Sequence, residues 1–214
     1  MRNLPILYKL TMLVVIMAAM TCAISAIAYF STDSLSRDTD EIDLAGREAL
    51  LGARLNQEVI ALNRGEYRIA ADPSAETVGD VLSKTTEQRE RLEEYLTHLQ
   101  KTADAKQTDL LNAVDTSYKS YLAEIQETVA TVKEHGTKVE DSEARKVIRD
   151  SVLSSRAAAV KLEDAVRAFG SYSDDKSGRV SKTASENADY AARLMIILAA
   201  VGTFGGLGIG GLIG

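Results

Sequence analysis

Two stretches without one charged side chain bracket this chain, Leu10 to Thr32 and Leu194 to Gly214. Each exceeds the roughly 20 residues that a helix needs to cross bilayer hydrocarbon. The segment between them, Asp33 to Arg193, is rich in charge and holds a single proline, Pro73. The layout predicts two membrane anchors holding one soluble helical module on one side of a membrane. It points to sensing or scaffolding across a bilayer rather than to catalysis in solution.

The middle segment, about 160 residues long, is enough for one domain with one hydrophobic core. The chain carries 25 basic and 31 acidic residues, and setting Arg2 and Lys9 aside leaves the middle segment with 23 against 31. An acidic surface of mixed sign argues against nucleic acid as a partner. There is no Trp, and Phe30, Phe169 and Phe204 are the only phenylalanines, too few aromatics for a β-sandwich. Ala, Leu, Glu, Lys, Arg and Ser dominate, as in long helices. The single cysteine, Cys22, lies inside the first apolar stretch, so no intrachain disulfide is expected.

The first stretch is longer than the 7–15-residue core of a cleaved signal, which favours an uncleaved anchor despite the small-x-small run Ala26-Ile27-Ala28. Arg2 and Lys9 precede it, while Asp33, Asp38, Asp40 and Glu41 crowd its exit. The positive-inside rule then places the N-terminus in the cytoplasm and the middle segment outside, in the periplasm of a two-membrane bacterium. The expected division is residues 1–9 cytoplasmic, 10–32 the first span, 33–193 a periplasmic sensor bundle and 194–214 the second span, in the inner membrane. Because the chain stops at Gly214 within an apolar run, a longer protein with cytoplasmic output modules is expected.

The middle segment reads as four helices, each with an apolar stripe at alternating steps of three and four. The stripes run Ile42, Ala45, Ala49, Gly52, Leu55, Val59, Leu62, Ile69; then Val78, Leu82, Thr85, Arg89, Leu92, Leu96, Leu99, Ala103; then Leu111 to Val132; then Ile148 to Phe169, continuing through Ser173 and Lys176 to Tyr190. Asp72-Pro73 ends the first helix, since Pro lacks an N–H and disfavours a helical residue before it. Ser74 is placed to cap the second. Asp104-x-x-Gln107 resembles a capping box opening the third. Gly136 is placed to close it, and Asp141 or Ser142 to open the fourth. The fold expected is all-α, an antiparallel up-down-up-down four-helix bundle continuous with the two transmembrane helices. Helix four is too long for its partners. Either residues 136–149 form an irregular cap, or the helix breaks near Gly170 or between Asp174 and Gly178.

In the second apolar stretch Gly202, Gly206, Gly210 and Gly214 recur every fourth residue. Glycine at that spacing lets helix backbones approach closely in lipid. Ala18, Ala19, Cys22, Ala23 and Ala26 offer small residues on the first span.

The layout resembles the N-terminal half of bacterial methyl-accepting chemotaxis proteins. The likeness rests on the short basic N-terminus (Met1 to Lys9), the two spans and the bundle between them. Arg64-Gly65-Glu66-Tyr67-Arg68 before Asp72-Pro73, and Gly136 with Glu143-Ala144, are similar to the helix ends and the distal connection of those sensor domains. The resemblance implies a transmembrane receptor that detects a small acidic ligand or a periplasmic binding protein. It also implies a homodimer through helix one and the first span, with Ala45, Ala49 and Gly52 as close-approach residues, and a signal passed to cytoplasmic partners. The same module also precedes histidine kinases and diguanylate cyclases. A structural membrane protein without a ligand remains a further alternative.

No catalytic constellation, metal set or cofactor motif stands out, so no enzyme activity, metal or cofactor is expected. His98 and His135 are far apart in the helical reading. Arg64 and Arg68, four apart, share a helix face, and Arg149 and Arg156 lie two turns apart on helix four. Guanidinium groups suit bidentate capture of a carboxylate, so these four arginines are the candidate ligand contacts. The competing reading pairs them with Glu66 or other local acids. Arg89, in the apolar stripe of helix two, is a further candidate.

Overall fold

In the computed structural model, which describes residues 6–135 and 142–213, the fold consists of α1 (Ile6–Ala71), α2 (Ala75–Thr102), α3 (Ala105–His135) and α4 (Ser142–Ile213). No strand occurs among the described residues. The helices end where the side chains dictate. Asp72 accepts hydrogen bonds from the Ser74 amide and the Thr77 hydroxyl, and the Ser74 hydroxyl accepts one from the Thr77 amide at 3.3 Å. Before α3 the capping box closes reciprocally. The Gln107 amide donates to Asp104 Oδ1 at 2.8 Å, and the Asp104 amide donates to Gln107 Oε1 at 3.0 Å.

Gly136, the expected closing residue of α3, lies outside the described residues. Of the two readings of the surplus length, the break in helix four does not occur, and an irregular cap does not reach Arg149, because residues 142–149 are helical. Gly170 and Asp174 to Gly178 sit inside α4, which is helical from Ser142 onward. A lone glycine costs a helix about 1 kcal/mol, and α4 contains no proline. The burial of Phe169 and Ser173 on either side of Gly170 outweighs that cost.

The chain divides into two compact units. One is the bundle, Ala45–Ser177; the other combines the described residues through Leu44 with those from Gly178 onward. The bundle is shorter than the charged 33–193 segment, because Ile42 and the helix-four stripe from Thr183 to Tyr190 lose their core partners apart from Ala184.

Within the bundle, Leu55, Val59, Leu62 and Ile69 of α1 meet Leu92, Leu96 and Leu99 of α2, the Leu111–Val132 stripe of α3, and Ile148, Leu162, Val166 and Phe169 of α4. Each fully buried aliphatic side chain contributes about 1.5–3 kcal/mol. Polar pairs record the register. As the α1 residue number rises through 48, 63 and 67, the α4 partner falls through 176, 163 and 156. Along α1 and α3 the numbers rise together, from Glu48 with Gln107 to Glu66 with Tyr121.

Gly52 is buried in this interface. A Cβ there would meet Phe169 Cε1 at 3.2 Å and the Gly170 Cα at 3.4 Å. This small residue therefore serves packing of α1 on α4 inside one chain, and Ala45 is likewise buried. Both belong to the apolar stripe read for helix one, and here that stripe packs within one chain.

In the second unit, the apolar stretches present their side chains outward: Val15, Met17, Ile196 and Phe204 are all well exposed. Both α1 and α4 contain segments long and apolar enough to cross a membrane. Thr21 and Thr203 donate their hydroxyls to the carbonyls of Met17 and Ala199, so both hydroxyl protons are satisfied within their own helices. Gly202 faces the end of Met20, 3.8 Å from where its Cβ would be. The surroundings of Gly206 and Gly210 lie outside what is described.

Removing the Phe169 ring is expected to destabilise the bundle by about 3–5 kcal/mol. Gly52→Leu, which overpacks the same contact, is expected to cost about 1–3 kcal/mol. Urea unfolding of the chain in nanodiscs, followed by far-UV circular dichroism, measures both. Equal stability of Gly52→Leu and the parent would remove the close-packing role of Gly52.

Candidate ligand site

The five residues Arg64-Gly65-Glu66-Tyr67-Arg68 point in four directions because the helix turns 100° per residue. Gly65 faces α2, where a Cβ would meet Val81 Cγ1 at 3.1 Å. Glu66 turns inward and is buried, accepting from Tyr121 Oη at 2.8 Å and Thr128 Oγ1 at 2.9 Å. Tyr67 faces α4, where its hydroxyl accepts from Arg156 Nη1 at 2.6 Å. Arg64 and Arg68 line a cavity of about 200 Å³ between α1 and α2, together with Lys84, Thr85 and Gln88.

The cavity is electropositive. Three cations face one acid beside it, Asp80, which accepts from both Arg68 and Lys84 on the same oxygen. The Lys84 and Arg68 hydrogen bonds hold the Asp80 carboxyl below its usual range. Arg64 has no ion-pair partner among the described residues. A small carboxylate entering here would meet a free guanidinium.

The other candidate arginines do not join this cavity. Arg156 is spent on Tyr67, in an α1–α4 seam where Asn63 Nδ2 also donates to Glu163 at 3.0 Å. Arg149 is exposed beside Asp150, 3.6 Å away. The alternative reading holds for Arg68, whose partner is a local acid, but that acid is Asp80 and not Glu66. Lys84 escaped sequence analysis. Its only signal is the Asp80-x-x-x-Lys84 spacing, which reads as an ordinary surface ion pair until α2 is laid against Arg64 and Arg68.

A family model described as the Tar ligand binding domain homologue matches residues 1–178. The chain belongs to that family. It is therefore the N-terminal sensor part of a chemotaxis receptor, and the matched domain is a ligand-binding one, not a catalytic one. Comparison with curated proteins and with solved structures gives no match.

This sensor domain also holds a buried polar cluster at the end of the bundle that carries Ala45 and Ser177. Glu48 is 2 % exposed; Gln107 and Ser173 are fully buried. Lys176 Nζ donates to Glu48 Oε2 at 2.9 Å and to Gln107 Oε1 at 2.8 Å, and pairs with Asp104 at 3.2 Å. Gln107 Nε2 donates to the same Glu48 oxygen at 2.8 Å. One ammonium thus ties α1 and α4 to the start of α3. Burial by itself would lower the Lys176 pKa, but the bonds to Glu48 and Asp104 outweigh it and raise the value. Burial likewise pushes Asp104 up, and the Gln107 amide and Lys176 outweigh it and bring the carboxyl down.

These shifts set a pH window. The lowered Asp80 and Asp104 groups favour the folded state above the ordinary Asp range, and that gain is lost as pH falls through their lowered values. The raised Lys176 contributes fully below its ordinary pKa and less as pH rises through the raised one. The unfolding temperature is expected to fall below about pH 4 and again above about pH 10.5. Asp104→Asn is expected to flatten the acid side and Lys176→Met the alkaline side, each read by thermal melts across pH.

Proposed function

We propose that this chain is the sensory module of a transmembrane chemoreceptor of the inner membrane, with its bundle in the periplasm. Ligand binding there displaces α4 slightly against α1, and the second span carries the displacement to a cytoplasmic signalling domain. The register of the polar pairs supports an antiparallel up-down-up-down bundle, and the outward-facing apolar stretches of α1 and α4 support two spans. The ligand is a small acid. The observation that carries this reading is the α1–α2 cavity, where the unpaired Arg64 stands with Arg68 and Lys84. Its volume of about 200 Å³ lies below the usual range for drug-sized ligands, which fits a molecule of amino-acid or short organic-acid size.

A homodimer through α1 belongs to the same reading. With Gly52 turned inward, the face left for a partner carries Gly46, beside which a Cβ would find open space, and Leu50, which is exposed. Cysteines at Gly46 or Leu50, in a Cys22→Ala background, are expected to crosslink between subunits in membranes. Efficient crosslinking from α3 positions alone would move the interface elsewhere.

The acid site is tested by calorimetry on the full chain in nanodiscs, screening amino and organic acids. Arg64→Ala or Arg68→Ala is expected to weaken the acid that binds by about 1.5–3 kcal/mol, the range for a charged hydrogen bond, or roughly ten- to 150-fold. Lysine at either position should restore only part of it, because the planar fork is lost. Unchanged affinity in both alanine variants, with the helical content intact, would return these arginines to surface-charge status.

A further inference from the structure

A second groove lies between α2 and α3, and the acid site described above does not use it. Its cavity measures about 340 Å³, within the range of small-molecule sites. Leu82, Leu122, Ile125 and Val129 form an apolar lining, Arg89 and Lys133 supply the charge, and no carboxylate lines it. Arg89 and the Tyr118 hydroxyl share Glu93, and Tyr118 lies one turn before Leu122, so Arg89 stands at the Leu122 end. Lys133 stands about 16 Å further along α3, at 1.5 Å per residue.

Arg89 occupies a stripe position where α2 otherwise carries Leu and Val. Its Nη2 lies 3.5 Å from Glu93, and the Tyr118 hydroxyl donates to the same carboxylate at 3.3 Å. Burial pushes the Tyr118 hydroxyl up to about 12, so it stays a neutral donor to Glu93, the carboxylate that also pairs with Arg89. Arg89 Nε is closed off from solvent and has no acceptor, a costly state for a charged donor. The rest of the side chain is partly exposed and lines the groove. An apolar wall, a cation with a spare donor and no acid in the lining form one pattern. They fit a molecule with one carboxylate and an apolar body.

We propose that this α2–α3 groove is a binding site for a small amphipathic monocarboxylate, its carboxylate on Arg89 and its apolar body on Leu122, Ile125 and Val129. It is independent of Arg64 and Arg68, so the receptor offers two acid sites of different polarity on the two sides of α2.

The test uses the full chain in lipid nanodiscs with 3-phenylpropionate as probe, by equilibrium dialysis against empty nanodiscs and against the neutral 3-phenylpropanamide. Saturable binding of the acid over both controls is expected. Arg89→Ala should weaken it about ten-fold or more, and Arg89→Lys should fall between. Ala130→Trp, placed on the exposed rim of the groove, should block binding while the helical content stays native. Arg167→Ala, which removes an exposed charge on α4, should leave binding unchanged. No binding above empty nanodiscs, or equal binding of the amide, overturns the proposal. So does affinity unaffected by both Arg89→Ala and Ala130→Trp, or binding lost in Arg64→Ala and retained in Arg89→Ala.

Discussion

Backbone hydrogen bonds hold each helix to itself, and none of them holds one helix to another. Everything lateral in the bundle depends on the apolar seam where Leu55, Leu62, Leu92, Leu99, Leu111, Leu162 and Phe169 meet. Side chains at steps of three and four keep facing that seam only if the helices stay nearly parallel. The Gly52–Phe169 contact is one of its close approaches. It draws α1 and α4 together, and these are the two helices that also contain segments long and apolar enough to cross a membrane.

A purely apolar seam would tolerate slippage by a turn. Three polar residues buried in it make slippage expensive. Glu66 has two hydroxyl donors from α3, and Gln107 and Glu48 share the Lys176 ammonium. Breaking such a pair leaves a charge buried without a partner, a larger penalty than the pair's own net gain. Polar residues in the core therefore fix which residues of α1, α3 and α4 stand opposite one another. For the displacement of α4 against α1 proposed above, that discreteness matters more than added stability.

α2 is the least committed helix. Its stripe is interrupted by Thr85 and Arg89, which are only partly buried, and two cavities lined by cations lie along this stretch. Where a stripe is interrupted the neighbouring helices leave space, and the cations at its edges give that space a sign. The same interruption thus weakens packing locally and opens the space that the two proposed sites use.

The sequence by itself determined the helices, their stripes, the Ser74 cap and the Asp104–Gln107 box, because each rests on interactions within a few residues along the chain. It also marked Arg64 and Arg68 as sharing one face. Only the tertiary structure decided which neighbour each face meets. It brought Lys84 to the two arginines, drew Arg156 away to Tyr67, turned Gly52 inward onto Phe169, and kept α4 helical through Gly170. These outcomes depend on the rotation and register of one helix against another. That choice is made by side chains 30 to 130 positions apart, such as Arg91 with Glu58 and Lys176 with Glu48, and periodicity along a single helix carries no information about it.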